Sequence, residues 1–245
     1  MSATTSSISP WSTLPDDLRP MLDPPPGVTP NFNIENHEGQ FIIVSVAITL
    51  PLAIVACSLR LYTRAFLIRS FQTDDYLTIF AMVSALAFEI CAIHSSSLGL
   101  GKDMWNIPWT RMTSVLEFFI ATELIYFVSI CFCKLTILAF YLRFIVSMNK
   151  IQRFFIRASI AAVIIYNIVT ILILLFACRP VRALWNFDYD RSKCRNTDAI
   201  FFVNAALNTV TDLAILVIPL PMLWTIQMRT SKKIGLIALF ITGGL

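Results

Sequence analysis

Residues 118–142 read FFIATELIYFVSICFCKLTILAFYL, twenty-five residues with two charges, Glu123 and Lys134. A helix crossing about 30 Å of hydrocarbon takes roughly 20 mostly apolar residues. This stretch meets that length with residues to spare, so it reads as a membrane span. Four more runs flank it. Residues 41–59 and 158–178 carry no acid or base, 76–97 carry Glu89, and 199–226 carry Asp212. A last apolar run, residues 234–245, has 12 residues; it would rise about 18 Å as a helix, too short to cross. The fold class that follows is an all-α polytopic helical bundle with five complete spans and a truncated sixth. Strands of about ten alternating residues are not seen, which argues against a β-barrel.

The whole chain supports the same reading. Of its 245 residues 57% are hydrophobic and only 14% charged, with 19 Phe and a mean hydropathy of +0.73. An average soluble domain has roughly 45–50% apolar and about 25% charged residues. The net charge of +4 is spread between apolar runs, so nucleic acid is not the expected partner. The partner that composition demands is the lipid bilayer.

Residues 1–40 differ in kind. They are rich in Ser, Thr and Pro, with five acids and one base, Arg19, and no apolar stretch of the kind a cleavable signal needs. They read as a disordered tail, followed by a transmembrane domain over 41–245. Lys and Arg in short loops set orientation. Loops 1, 3 and 5 hold ten (Arg60, Arg64, Arg69, Arg143, Lys150, Arg153, Arg157, Arg229, Lys232 and Lys233). The tail and loops 2 and 4 hold eight, five of them in the longer, Asp-containing loop 4. This places the N-terminus outside, with the plasma membrane the expected site.

Six cysteines are present. Cys57, Cys91, Cys131 and Cys133 lie in apolar spans and read as small core residues. Cys178 and Cys194 bracket loop 4, where an oxidising exterior permits a disulfide. With only two His and no C-x-x-C, no metal site is expected. Trp105, Trp109 and Trp185 suit an external aromatic belt.

Ionisable groups within spans cost several kcal/mol unless paired or hydrated, so they mark an interior polar site. Here they are Glu89, Glu123, Lys134 and Asp212. Asn204, Asn208 and Asp212 form an i, i+4, i+8 stripe on span 5. Glu123 shares a face with Lys134, but eleven residues is about 16 Å along one helix, beyond direct contact. Lys134 leans outward, toward the N-terminus of its helix, and is expected to pair with Asp212, with Glu89 second. The structural alternative is a packing pair without a binding role.

Further motifs accumulate along the chain. Span 1 ends LRLYTR, carrying Arg60 and Arg64; span 2 opens Asp74-Asp75-Tyr76. Loop 2 reads GLGKDMW from Gly99 through Gly101 to Trp105. Span 3 ends with Lys134, Tyr141 and Arg143. Loop 4 reads CRPVRALW, with Cys178, Pro180 and Trp185, and span 5 holds Asp212 and Pro219. In order and spacing this set resembles the fungal rhodopsin-domain family of integral membrane proteins, some of whose members are treated as seven-helix receptors. The resemblance covers about residues 41–245 and implies a seven-helix parent fold with an external N-terminus. One departure is Asp103, where the loop 2 pattern has His. The family name does not imply retinal: a retinal opsin needs a Schiff-base lysine in its last helix, and Lys134 sits in span 3. No cofactor is expected.

The leading function is a receptor-like protein with a small-molecule or surface ligand and a cytoplasmic signalling partner at the basic loops. The alternative is a transporter or proton-coupled channel using the intramembrane Glu, Lys and Asp as a relay. No H-E-x-x-H or G-x-S-x-G is present, so an enzyme is not expected. Orientation is testable with an impermeant thiol reagent on intact cells. A cysteine placed in the tail should label, and one placed in loop 3 should not; the reverse pattern overturns the assignment.

Overall fold

The computed structural model describes residues 11, 14–33, 37–144, 150–186, 189, 194–195 and 197–218. Five helices long and apolar enough to cross a membrane make up most of it. They are α1 (His37–Tyr62), α2 (Thr73–Leu98), α3 (Met112–Phe144), α4 (Lys150–Leu175) and α5 (Thr197–Val217). No strand occurs among the described residues. The run at 234–245 and the stretch 219–226 of span 5, with Pro219, lie outside the described residues.

The helices overrun the apolar stretches that signal them. Span 1, read as 41–59, runs through Arg60 to Tyr62 and on through a π-helical turn, Thr63–Leu67. Span 3, read as 118–142, begins at Met112, and span 4, read as 158–178, begins at Lys150. Charged residues end an apolar count but do not end a ladder of backbone hydrogen bonds. Arg60, Arg153 and Arg157 are therefore helical, and Phe154 and Phe155 belong to α4 rather than to a loop. Pro51 is accommodated within α1.

Lipid-facing surfaces carry the apolar bulk. Leu52 is 74% exposed and Phe202 78% exposed. Burying such groups against another helix gains little when the solvent is itself hydrocarbon, so helices associate through close packing and hydrogen bonds. The α2–α3 pair shows this. It is the most extensive helix contact, with small residues Ala81, Ala92, Ser95 and Ser96 buried on α2. The Ser95 and Thr122 hydroxyls lie 3.2 Å apart across it. Two apolar clusters brace the bundle. One gathers Ile120, Ala177, Cys178, Ala183 and Leu184; the other gathers Leu138, Ile156, Val163 and Ile215. Ile120 and Leu138 are about 27 Å apart along α3, so the clusters sit near opposite ends.

The end of the bundle formed by the start of α3 and the close of α2 and α4 is capped by loops. At Gly99, which closes α2, φ is +127°, and the Leu100 N–H reaches back to the Ser95 carbonyl at 3.0 Å. A Cβ there would meet the Ile107 side chain at 3.3 Å in a backbone region L-residues rarely adopt. Gly101 also has positive φ, 94°. Trp105 lies in a short 3-10 turn, Met104–Asn106. On the α4 side Pro180 opens the turn Val181–Leu184, which tucks Ala183 and Leu184 beneath the Cys178–Cys194 disulfide. Trp185 packs against the same cluster.

Within the tail read as disordered, residues 14–33 are instead strapped across the α2–α3 loop. The Trp109 N–H donates to the Arg19 carbonyl at 2.8 Å, and the Met21 N–H to that of Ile107 at 2.9 Å. The Arg19 guanidinium lies 4.1 Å from the Trp109 ring centroid, and the Asn31 N–H reaches Asn106 Oδ1 at 3.0 Å. Composition alone points to disorder. The loop supplies unpaired backbone groups and an aromatic face, which composition does not encode.

The disulfide closes a loop of 16 residues' separation. In the chain-entropy model a loop of this size contributes about 3 kcal/mol. Non-reducing mass spectrometry should recover the linked peptide, and Cys194→Ser should lower thermal stability accordingly. Alkylation of both thiols without prior reduction would refute the bond.

Candidate functional site

Lys134 sits on α3 with its side chain 4% exposed. An ammonium offers three donors and no acceptor. Four oxygens surround it, all from one stretch of α5. Asn208 Oδ1 and Thr211 Oγ1 each lie at 2.6 Å, and the Asn208 carbonyl and Asp212 Oδ1 each lie at 3.1 Å. The i, i+4 spacing of Asn208 and Asp212 puts both on the side of α5 that meets α3. One turn earlier on the same stripe, Asn204 accepts a hydrogen bond from the Tyr166 hydroxyl of α4. The stripe is thus shared between two neighbours.

The structure joins Lys134 to Asp212, the partner its outward lean favours. It adds Asn208 as a closer one, at 2.6 Å against 3.1 Å, and Thr211 as a partner the sequence does not single out. Thr211 has no periodicity signal of its own. Its hydroxyl is delivered because it also bonds back to the Leu207 and Asn208 carbonyls. The Asp212 side chain is 55% exposed. Its carboxylate therefore still presents area to whatever approaches that face.

Glu89 and Glu123 are not brought into this cluster. Among the described residues neither forms an ion pair, and Glu89 Oε2 is buried without a hydrogen-bond partner. Glu123 is half-buried on α3, and Tyr141 packs against the Leu138 cluster.

A second ionic cluster occupies the end of the bundle where α1 and α3 finish and α2 begins. Asp74 and Asp75 are 2% and 0% exposed. The Arg60 and Arg143 guanidiniums each approach Asp74 to 3.0 Å. Asp75 Oδ2 accepts the Gln72 N–H at 3.1 Å, capping α2, and faces Arg143 at 3.5 Å. Arg60 and Arg64 lie 3.7 and 3.9 Å from its other oxygen. The Arg143 second amino group donates to the Ser70 carbonyl at 3.3 Å, tying the α1–α2 loop to α3. In the sequence these three arginines serve for orientation and as motif positions, not as partners of the aspartates. Their convergence was readable from one fact: bases at the ends of spans 1 and 3 and acids at the start of span 2 fall at the same membrane face. Among the described residues no group of three or more His, Cys, Asp or Glu suits a metal ion.

Five membrane-length helices, a lysine sequestered within the bundle and a buried Arg–Asp network at one end define a multi-pass helical membrane protein. The chain belongs to the fungal rhodopsin domain family, whose model matches residues 59–245. Among curated relatives, the polyenoic acids biosynthesis gene cluster protein Ba17b of Metarhizium anisopliae is 25% identical over 85% of this chain and 58% of its own length. An SAT4 family membrane protein of Emericella nidulans is 26% identical over 64% of this chain and 41% of its own length. The Receptor GIN3 of Arthrobotrys oligospora is 23% identical over 78% of this chain and 46% of its own length. The match thus spans 41–58% of the length of these relatives. No solved structure matches it significantly.

Asp212→Leu leaves the buried Lys134 ammonium without its counter-charge, at a cost of up to about 3–5 kcal/mol, whereas losing Lys134 leaves a carboxylate that is half exposed and costs less. Lys134→Met and Asp212→Leu should each reduce the folded yield in detergent, measured by fluorescence size-exclusion chromatography. The double variant should recover part of the loss. Simple addition of the two losses would show that the pair contributes nothing.

Proposed function

We propose that this protein is a receptor-like membrane protein, oriented with its N-terminus outside at the plasma membrane. Its binding centre is the Lys134–Asn208–Asp212 cluster. The observation that carries this reading is the placement of Lys134 on α3, buried with its ammonium against oxygens of α5, opposite a carboxylate that is only half covered. Breaking or remaking this contact changes the α3–α5 relationship directly. Nine residues further along α3, about 13 Å, Arg143 holds the Asp74–Asp75 end closed. One rigid helix therefore carries both polar contacts, and a shift at one is delivered to the other. The similarity to a protein named as a receptor supports the same reading. A small molecule or surface ligand reaching Lys134 or Asp212 would compete with the internal pair. A cytoplasmic partner would meet the basic face beside Arg143. Neither a resident cofactor nor a catalytic step is part of the proposal.

The alternative is a transporter relay, and the two separate cleanly. In proteoliposomes holding a pH-sensitive dye under an imposed proton gradient, the protein should add no flux beyond that of empty liposomes. In its host, Lys134→Met and Asp212→Asn strains should lose the same transcriptional responses as a deletion strain. A proton flux abolished by Asp212→Asn would overturn the receptor reading in favour of transport.

A further inference from the structure

Beyond the binding centre, a pocket of about 640 Å³ opens at the end of the bundle where α1 turns toward α2. Its polar wall is Arg60, Arg64 and Arg143; its apolar wall includes Leu59, Ile68 and Phe140. We propose that it binds the phosphate of an anionic phospholipid headgroup. This site is distinct from the Lys134 centre; it rests on the N-outside orientation proposed above and not on the receptor role.

Charge is the first argument. Three guanidiniums face two carboxylates. Asp74 already has Arg60 and Arg143, each at 3.0 Å, and Asp75 has the Gln72 N–H and Arg143. The Arg64 guanidinium is left with a 3.9 Å approach to Asp75 and no hydrogen bond to a described residue. Its side chain is 19% exposed and lines the pocket, where three guanidiniums against two carboxylates leave a net positive charge; Asp75 Oδ1, which Arg64 approaches, is itself without a hydrogen-bond partner. Arg60 Nε is likewise buried without a hydrogen-bond partner. Guanidinium donors in a planar fork match phosphate oxygens, and such charge-assisted bonds are the strong ones.

Backbone shape is the second argument. Arg64 is carried on a π-helical turn, Thr63–Leu67, a rare form that often marks functional sites. Two residues beyond that turn Arg69 has φ +51°, a left-handed conformation uncommon outside glycine. This irregular backbone gathers at the pocket's edge.

The apolar wall decides between a lipid and a free phosphate ion. Leu59 is 62% exposed and Ile68 52% exposed, on the outer surface of the bundle. A free ion gains nothing from that wall, whereas a glycerol backbone and the first acyl carbons do. Anionic lipids concentrate in the cytoplasmic leaflet, where basic juxtamembrane groups meet them.

The test is native mass spectrometry of the purified full chain in detergent, titrated with phosphatidylinositol 4-phosphate, with phosphatidylcholine and with inorganic phosphate. The phosphoinositide should bind and phosphatidylcholine should not. Arg64→Gln should weaken phosphoinositide binding about tenfold, the effect of one bond to a charged group, while Arg64→Lys retains part of it. Arg157→Gln, which removes the same charge from an exposed position on α4 outside the pocket, should leave binding intact. Equal binding of phosphatidylcholine, or an equal loss in Arg157→Gln, would overturn the proposal. Displacement of the lipid by inorganic phosphate at matched concentration would assign the pocket to a free ion and overturn the lipid. Should Arg64→Gln fail to fold, the lipid and phosphate competition on the unaltered protein still decides.

Discussion

The ammonium of Lys134 needs a polar shell that hydrocarbon does not supply, and α5 provides it. A charged side chain within the bilayer costs several kcal/mol unless paired or hydrated. Here the shell is Asn208, Thr211 and Asp212. To build it α5 must present one particular face to α3, at one depth. The rotation of α5 then fixes Asn204 toward α4, where it meets Tyr166. One buried charge thus sets the register of three helices.

The opposite requirement operates at the Arg143 end. There two carboxylates, rather than a cation, are withdrawn from solvent, and three guanidiniums converge on them from α1, its π turn and α3. The Asp75 side chain serves twice, as a helix cap and as an ion-pair partner. Capping holds α2 at its first turn, and the ion pairs hold that turn against α1 and α3. Beyond Lys134, toward the other end of the bundle, small residues let α2 and α3 approach closely enough for a Ser95–Thr122 hydroxyl contact. Packing and hydrogen bonds do the work that apolar burial performs in a soluble core.

Asp212 and Glu89 differ in how fully their needs are met. Asp212 is paired yet half exposed, and Glu89 Oε2 is buried without a hydrogen-bond partner among the described residues. Both belong to the interior polar set that the apolar spans single out. The family match extends over residues 59–245, and the relatives are longer than this chain. What the family membership contributes is the class of protein; the roles of these residues rest on their geometry.

The sequence by itself determined that this is a multi-pass helical membrane protein, and where its spans lie to within several residues. Length and apolarity are local quantities, and the bilayer reads them directly. Helical spacing also put Asn204, Asn208 and Asp212 on one face, and the outward lean of a lysine made Asp212 its natural partner. Only the tertiary structure decided that Asn208 and Thr211 share that lysine, that Glu89 and Glu123 stand apart, and that Arg60, Arg64 and Arg143 converge on buried aspartates. It also decided that residues 14–33 strap the α2–α3 loop. The reason is that spans in hydrocarbon have no hydrophobic incentive to choose a neighbour or a rotation. Those choices are made by a few polar contacts between residues tens of positions apart, and nothing in local composition or periodicity records which of them will meet.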